Sequence, residues 1–437
     1  MLRSLPLLCT KGKFETTFRG IKTMTEKKKV IVIAGTTGVG KSQLSIQLAT
    51  KFDGEIINSD SMQVYKDIPI ITNKHPIEER EGVPHHVMNH VPWTEEYFLH
   101  KFEKECLETI NDIHSRGKVP IIVGGTHYYL QVLFNKNMAT REESGRQLNQ
   151  RERDILESNN PQLIYDTLME NDPTIAKRYH PNDTRRVQRM LEIFYLTGEK
   201  PSESFNNQDL TLRFDTLFLW LYSEPAPLEK RLDDRVDVML ANGGMSEINQ
   251  LYTYYKQHDF KQHQCENGVW QVIGFKEFLP WLEKEPAVTL EDCIDRMKTR
   301  TRQYAKRQVK WIRKMLIPDI QGDIYILNAS DLEQWSELVS KRALLIADEF
   351  MHNKSITEAR APRGLEFLLE GLKTSTEKNV IQEQYTCDIC RDKDNKKLLA
   401  IGEKNWLIHL KSKRHRSNLN RGKKKEQYEK WKLKQNE

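Results

Sequence analysis

Residues 35–42 read Gly35-Thr36-Thr37-Gly38-Val39-Gly40-Lys41-Ser42 and directly follow the apolar, β-branched run Val30-Ile31-Val32-Ile33-Ala34. This is the G-x-x-x-x-G-K-[ST] pattern in its expected setting, with a buried strand before it and an amphipathic helix over 43–52 after it. Glycines let the chain wrap so that the backbone N–H groups from Gly35 to Gly40 turn inward toward oxyanions. Lys41 adds a point charge, and the Ser42 hydroxyl offers a ligand to a divalent ion, expected to be Mg2+. The predicted occupant is a phosphate or diphosphate. The loop alone does not say whose.

Further apolar, β-rich runs occur at 55–57, 119–123, 216–222 and 324–327, separated by helical or loop segments. That alternation predicts an α/β fold, a parallel sheet of the phosphate-loop kind wrapped by helices, over 25–134 and 184–330. Between these parts the sequence turns polar, punctuated by Asn160-Pro161, Asp172-Pro173 and His180-Pro181, which predicts a helical insertion over 135–183. A helix is then expected from Asn182-Asp183 to Gly198, with Val187, Met190, Leu191 and Phe194 buried and Arg185, Arg186 and Arg189 outside.

Residues 291–316 form another predicted helix, which carries nine Lys/Arg and no acid from Arg296 to Lys314. Like charges at that density repel unless an anion or an acidic patch compensates them, and an anionic partner is expected. Residues 331–384 read as a helical extension, with linkers at 351–363 and 374–384.

The net charge of +6 conceals a segregation: residues 1–24 carry five Lys/Arg against one Glu, and 404–437 carry twelve against three, leaving an acidic body between basic ends. Positive charge therefore sits where a polyanion is gripped. The basic, nearly acid-free start has the composition of a mitochondrial transit leader over 1–24, and Met24 offers a second start. A mitochondrial long form and a cytoplasmic or nuclear short form are expected. No apolar run approaches the ~18 residues of a membrane span, so no membrane partner is expected. Six cysteines in 437 residues make no disulfide framework, and Cys9, Cys106, Cys265 and Cys293 are scattered.

The other two cysteines are spaced. Cys387-x2-Cys390 is followed by eighteen residues and then His409-x5-His415, two thiolates and two imidazoles suited to tetrahedral Zn2+. Tyr385, Trp406 and Leu410 supply the apolar groups a small zinc unit packs around its metal, which defines a finger over 385–418. The histidine spacing resembles zinc fingers of the U1/matrin kind, which commonly meet RNA. The tail over 419–437 alternates Lys/Arg with Asn, Gln, Tyr428 and Trp431, as nucleic-acid-binding tails do. A purely structural zinc knob is the alternative.

Asp60 ends the second predicted strand, and strand C-termini in parallel sheets open into the ligand crevice. Its position alone fits a catalytic carboxylate, a helix cap or an indirect magnesium ligand equally. The strand over 119–123 ends in Gly124-Gly125-Thr126 and not in the Asp with which a nucleotide-hydrolysing enzyme holds Mg2+.

At this point several blocks align with one family. The cradle, Asp60-Ser61-Met62-Gln63-Val64-Tyr65-Lys66, Gly124-Gly125-Thr126-His127-Tyr128-Tyr129, His180-Pro181-Asn182-Asp183, Arg185-Arg186-Val187-Gln188-Arg189, Ile273-Gly274-Phe275 and Thr301-Arg302-Gln303-Tyr304-Ala305-Lys306-Arg307-Gln308 occur in the order seen in tRNA dimethylallyltransferases. The chain resembles that family over about residues 28–316, and the finger resembles its eukaryotic branch. The resemblance implies transfer of a dimethylallyl group from dimethylallyl diphosphate to N6 of the adenosine 3′ to the anticodon, by a monomer. It implies Asp60 as general base, Thr37 at the bridging or leaving oxygen, and Arg235 on the diphosphate. Asp60, Ser61, Met62, Gln63, Thr126 and residues 185–189 are implied tRNA contacts, with Gln63 suited to the N6/N7 edge of a flipped adenine. Thr36 stands where the family usually has Pro, and Gly38 where Ala is common, which loosens the cradle without removing a donor.

Two other readings remain open. A small-molecule kinase accounts for the cradle but not for the finger or tail. A non-catalytic RNA-binding protein accounts for the tail but leaves Lys41, Ser42 and Asp60 idle.

Overall fold

The computed structural model describes residues 27–135, 146–206, 211–260, 265–370, 383–392 and 395–421. The expected leader over 1–24, nearly all of the basic tail and most of the linker over 374–384 lie outside the described residues.

Six parallel strands form the central sheet: β1 (Lys29–Gly35), β2 (Gly54–Asn58), β3 (His85–His86), β4 (Val119–Val123), β5 (Asp215–Tyr222) and β6 (Tyr325–Asn328), in the order β3-β2-β4-β1-β5-β6. Five of these strands are the predicted runs. β3 was not predicted, because its two residues are too few to show a period. In the middle of the sheet Ile31 lies between Ile121 and Leu217. Val30, Val32 and Ala34 face one hydrophobic cluster, and Ile31 and Ile33 face the other. Each fully buried side chain of this size stabilises the fold by about 1.5–3 kcal/mol relative to exposure. Because every pairing is parallel, the turns after β1, β2 and β4 all emerge on one edge.

Among the described residues up to 370 the α-helices are α1 (Lys41–Phe52), α2 (Leu99–Ser115), α3 (Gln150–Leu156), α4 (Pro161–Asn171), α5 (Pro173–Ala176), α6 (Thr184–Thr197), α7 (Pro201–Asn206), α8 (Pro225–Met239), α9 (Met245–Gln257), α10 (Phe275–Leu282), α11 (Leu290–Trp311), α12 (Ile317–Asp319) and α13 (Arg342–Met351). None of the described helices is long and apolar enough to cross a membrane.

The helical insertion is present, but its edge is not at residue 183. Val187, Met190, Leu191, Tyr195 and Leu196 of α6 pack against Leu156, Ile164, Leu168 and Ile175 in one cluster, with Phe205 against it. The unit therefore closes only beyond α6, because the buried stripe of α6 needs α4 to cover it.

The boundary expected at 330 also dissolves. Trp335, Val339, Ala343, Ile346 and Ala347 pack into the cluster under β1 and α1, and Ala361, Leu365 and Leu368 join the opposite one. Residues 351–363 are not a free linker: Arg342 pairs with Glu358, and Ile326 of the edge strand β6 donates its N–H to the Arg360 carbonyl at 2.7 Å.

Candidate active site

The cradle forms as its sequence requires. Gly40 lies at φ 95°, the left-handed region, immediately before α1, and a Cβ there would come within 2.5 Å of the Trp335 ring. Gly38 is also left-handed, at φ 72°, and a Cβ would sit 2.7 Å from the tip of the Leu232 side chain, so alanine there strains the backbone and needs that side chain to shift. Val39 is fully buried in the core and offers the cradle only its backbone.

Cationic groups converge on the loop. Lys41 Nζ donates to the Thr36 carbonyl at 2.6 Å. Burial pushes its pKa down to about 8, against the pull of nearby Asp60, and Arg235 lowers it further. Arg235 arrives from α8, whose Leu228, Leu232, Val236 and Met239 are anchored in apolar surroundings. Its Nη2 donates to Thr37 Oγ1 at 2.9 Å, while Nε and Nη1 are buried with no hydrogen-bond partner among the described residues. Burial lowers its pKa to about 10. Buried Thr36 Oγ1 likewise has no partner. Unsatisfied buried donors are costly, so this cluster fits an anion with several acceptor oxygens.

Asp60 stands directly after β2. The Met62 N–H donates to its Oδ1 at 2.9 Å and its own N–H is held by Asn58 Oδ1 at 3.1 Å. Burial raises its pKa above the ordinary carboxylate range, opposed by the Met62 and Gln63 N–H groups and by Lys41 and Arg235. Beside it, Ser61 N–H donates to Thr126 Oγ1 at 3.0 Å, which brings the turns after β2 and β4 together. A Cβ on Gly125 would lie 3.1 Å from Asp60 Oδ2. It would also fall 2.5 Å from Gln308 Nε2, and a Cβ on Gly124, directly after β4, would lie 2.1 Å from the Ser59 backbone, which together account for the glycine pair there.

Two side chains in the quoted blocks carry structural roles that the sequence did not assign. Gln308 extends the α11 stripe of Cys293, Met297, Thr301 and Ala305, and it is 3 % exposed. Its Oε1 accepts from Thr37 N–H and its Nε2 donates to the Gly125 carbonyl, both at 2.9 Å. One amide thus ties the cradle to the β4 turn. His127 Nε2 lies 3.2 Å from both the N and the O of Gly35, and burial with Lys41 nearby pushes its pKa down to about 3, so the ring is neutral and its tautomer sets which of the two groups it bonds. The i, i+3/i+4 stripe through Met297, Thr301 and Ala305 reaches Gln308 and is the signal for it.

The expected RNA contacts do not all cluster. Asp60, Ser61, Met62, Gln63 and Thr126 share the crevice edge. Arg185 and Arg186 are exposed on α6, with Arg186 paired to Asp183 at 3.2 Å. Arg189 pairs with Glu192, and Gln188 donates to the Leu156 carbonyl at 2.6 Å. Val187 is fully buried in the helical unit, so its side chain meets no RNA and its place in the motif is one of packing.

Four of the nine basic side chains in the run from Arg296 to Lys314 are matched by acids of neighbouring helices. Lys298, Arg302 and Lys306 pair with Asp237, Asp233 and Glu229 of α8, rung by rung, and Arg300 lies 3.5 Å from Glu277. The compensating acids lie on another helix, out of reach of any local reading.

In the C-terminal unit, β7 (Gln384–Arg391) and β8 (Lys397–Ile401) form an antiparallel pair followed by α14 (Glu403–Leu410). The ligand atoms of Cys387, Cys390, His409 and His415 lie within 4.8 Å of one another. His415 Nδ1 is 3.6 Å from each sulfur and 3.1 Å from His409 Nε2. Tetrahedral Zn2+ places such S···N pairs about 3.5 Å apart and N···N pairs about 3.3 Å apart, so the set fits the metal. Tyr385 and Trp406 stack at 5.7 Å over it. Gln384 Nε2 donates to Tyr165 Oη at 2.8 Å, docking the unit on α4.

Comparison with known proteins agrees with this geometry. An IPP transferase family model matches residues 63–315. A tRNA dimethylallyltransferase of Saccharomyces cerevisiae is 65% identical over 413 residues, 94% of this chain and 96% of that protein. One from Homo sapiens is 32% identical over 92% of this chain and 88% of its own. A crystal structure of a eukaryotic dimethylallyltransferase acting on tRNA superposes with a TM-score of 0.87 at 65% identity, covering 93% of this chain and 100% of that one. With a cradle, a recessed carboxylate and a partnering arginine at one sheet edge, the chain belongs to the IPP transferase family, among the tRNA dimethylallyltransferases.

Proposed function

We propose that this protein transfers a dimethylallyl group from dimethylallyl diphosphate to N6 of the adenosine at position 37, 3′ to the anticodon, in certain tRNAs, and releases diphosphate. One observation carries this reading: Asp60 sits recessed beside a cradle whose buried Arg235 keeps two guanidinium nitrogens without hydrogen-bond partners among the described residues.

The N6–carbon bond forms as the carbon–oxygen bond to diphosphate breaks, and the electron pair of that bond leaves with the oxygen. Cradle N–H groups, Lys41 and Arg235 stabilise the charge that develops there. Thr37, oriented by Arg235, meets the leaving oxygen. Asp60 takes the proton that N6 loses, and burial raises its basicity for that task. Mg2+ would be held by Ser42 and the phosphate oxygens, screening their charge, since β4 ends without a carboxylate.

The target base leaves its stack cheaply because the anticodon loop is single-stranded. Gln63 would pair with the flipped adenine, while Thr126, Arg185 and Arg186 would hold the flanking RNA. The Cys387, Cys390, His409 and His415 set would bind Zn2+ and shape a surface for the tRNA outside the crevice. A monomer suffices for this chemistry. Mitochondrial import of a form starting at Met1, with a second form from Met24 in cytoplasm or nucleus, completes the proposal.

The test is transfer of label from dimethylallyl diphosphate to an anticodon stem-loop with Mg2+. Asp60→Asn should slow single turnover by about 10²–10⁴-fold, the usual worth of a general base, while diphosphate binding persists. Phosphorylation from ATP without prenyl transfer would overturn the assignment.

A further inference from the structure

The Gln63 amide is not free both to accept from N6 and to donate to N7 of an adenine. Its Nε2 donates to the Asn73 carbonyl at 2.9 Å and to the Thr72 carbonyl at 3.3 Å, so both of its hydrogens are engaged. Rotating the amide by half a turn would set Oε1 against those two carbonyl oxygens, so the partners fix its orientation. Among the described residues no donor reaches Oε1, and Gln63 is only half-buried.

The carbonyls themselves are set from elsewhere. Glu247, in the first turn of α9, is 6 % exposed. Its carboxylate accepts from Ile70 N–H at 2.9 Å and from Ile71 N–H at 2.8 Å. The turn is further closed by Asn73 N–H to the Ile70 carbonyl and Lys74 N–H to the Pro69 carbonyl. Beneath it, Gly243 leaves room for Ile70, where a Cβ would come within 3.3 Å of the isoleucine tip. The buried Lys74 ammonium, with no hydrogen-bond partner among the described residues, supplies the countercharge for Glu247.

We infer that Glu247 is a positioning residue for base selection: it holds the turn whose Thr72 and Asn73 carbonyls make Gln63 an acceptor only. An acceptor selects a base that offers an amine at this point. Adenine offers N6–H, whereas a 6-oxo purine sets oxygen against oxygen. With Asp60 on one N6 hydrogen and Gln63 on the other, the nitrogen lone pair is left for the prenyl carbon. This inference rests on the assignment of Gln63 to the adenine in the proposed function.

The experiment measures binding of the full-length, zinc-loaded protein to three anticodon stem-loops that carry adenosine, purine riboside or inosine at the target position. The wild type should bind the adenosine form about tenfold more tightly than the purine riboside form, the worth of one good hydrogen bond, and inosine least well. Gln63→Leu should erase the ranking. Glu247→Gln should compress it while leaving purine riboside binding unchanged, and should add nothing in the Gln63→Leu background. Glu247→Asp, which keeps the charge opposite Lys74, should retain part of the ranking and serves if Glu247→Gln fails to fold. If Gln63→Leu still prefers adenosine, the assignment of Gln63 to the base fails. If Gln63→Leu loses the preference but both Glu247 variants keep it intact, the assignment of Gln63 stands and the role of Glu247 is overturned. Equal weakening toward all three RNAs by Glu247→Gln would also overturn it, since a merely structural residue does that.

Discussion

Arg235 and Thr37, 198 positions apart, are joined by a 2.9 Å hydrogen bond from guanidinium to hydroxyl. The bond makes α8 part of the cradle, and it orients the one cradle side chain whose backbone is held by Gln308. A guanidinium fork serves the hydroxyl and an oxyanion together, which an ammonium cannot do at one position. Arg235→Lys should therefore lower the single-turnover rate by about 10²-fold and weaken inhibition by inorganic diphosphate. An unchanged rate would remove Arg235 from the leaving group.

Activity should follow a bell against pH. Asp60 works ionised, and burial raises its pKa, so the acidic limb should lie above the ordinary carboxylate range. Lys41 works protonated and its pKa is about 8 in the free protein, so kcat/KM should fall as pH rises through that value. Bound diphosphate favours the ammonium, and the alkaline limb of kcat should move higher. A flat kcat/KM between pH 7 and about 9 would contradict this.

Gln308 acts without touching the reacting atoms. Gln308→Leu leaves Thr37 N–H without its acceptor and the Gly125 carbonyl without a donor, at a cost of about 1–3 kcal/mol in stability. Thermal unfolding measures that loss. The transfer rate should drop along with it, and Gln308→Glu, which keeps only the acceptor, should fall between the two.

Metal removal should separate gripping from chemistry. Chelating the zinc, or substituting Cys387→Ser, should raise KM for tRNA while the single-turnover rate at saturating RNA stays near that of the intact protein. A collapse of the saturated rate would place the finger inside the chemistry.

The strands and the cradle were legible because their signals are local. Val30 to Ala34 is buried on both faces and reads as a continuous apolar run, and the glycines declare their backbone. Asp60 could be placed at the sheet edge by topology, yet its partner Arg235 could not, since nothing within α8 distinguishes Arg235 from a solvated arginine. Resemblance alone singled it out. The edge at 183 was misplaced because α6 looks like an independent amphipathic helix until α4 is seen covering Val187 and Leu191. Residues 331–370 read as an appendage because their apolar positions find partners only in three dimensions, Trp335 against Gly40 above all.

The ladder between α8 and α11 bears on how such a chain can drift. Glu229, Asp233 and Asp237 face Lys306, Arg302 and Lys298, while the same two helices deliver Arg235 and Gln308 to Thr37. A lone reversal of sign on any rung sets like charges against each other and pushes the helices apart at the cradle, whereas exchanging both members restores the match. The two helix faces are thereby coupled at about 0.2–1 kcal/mol per rung, so a substitution on one helix is read against what stands opposite it on the other.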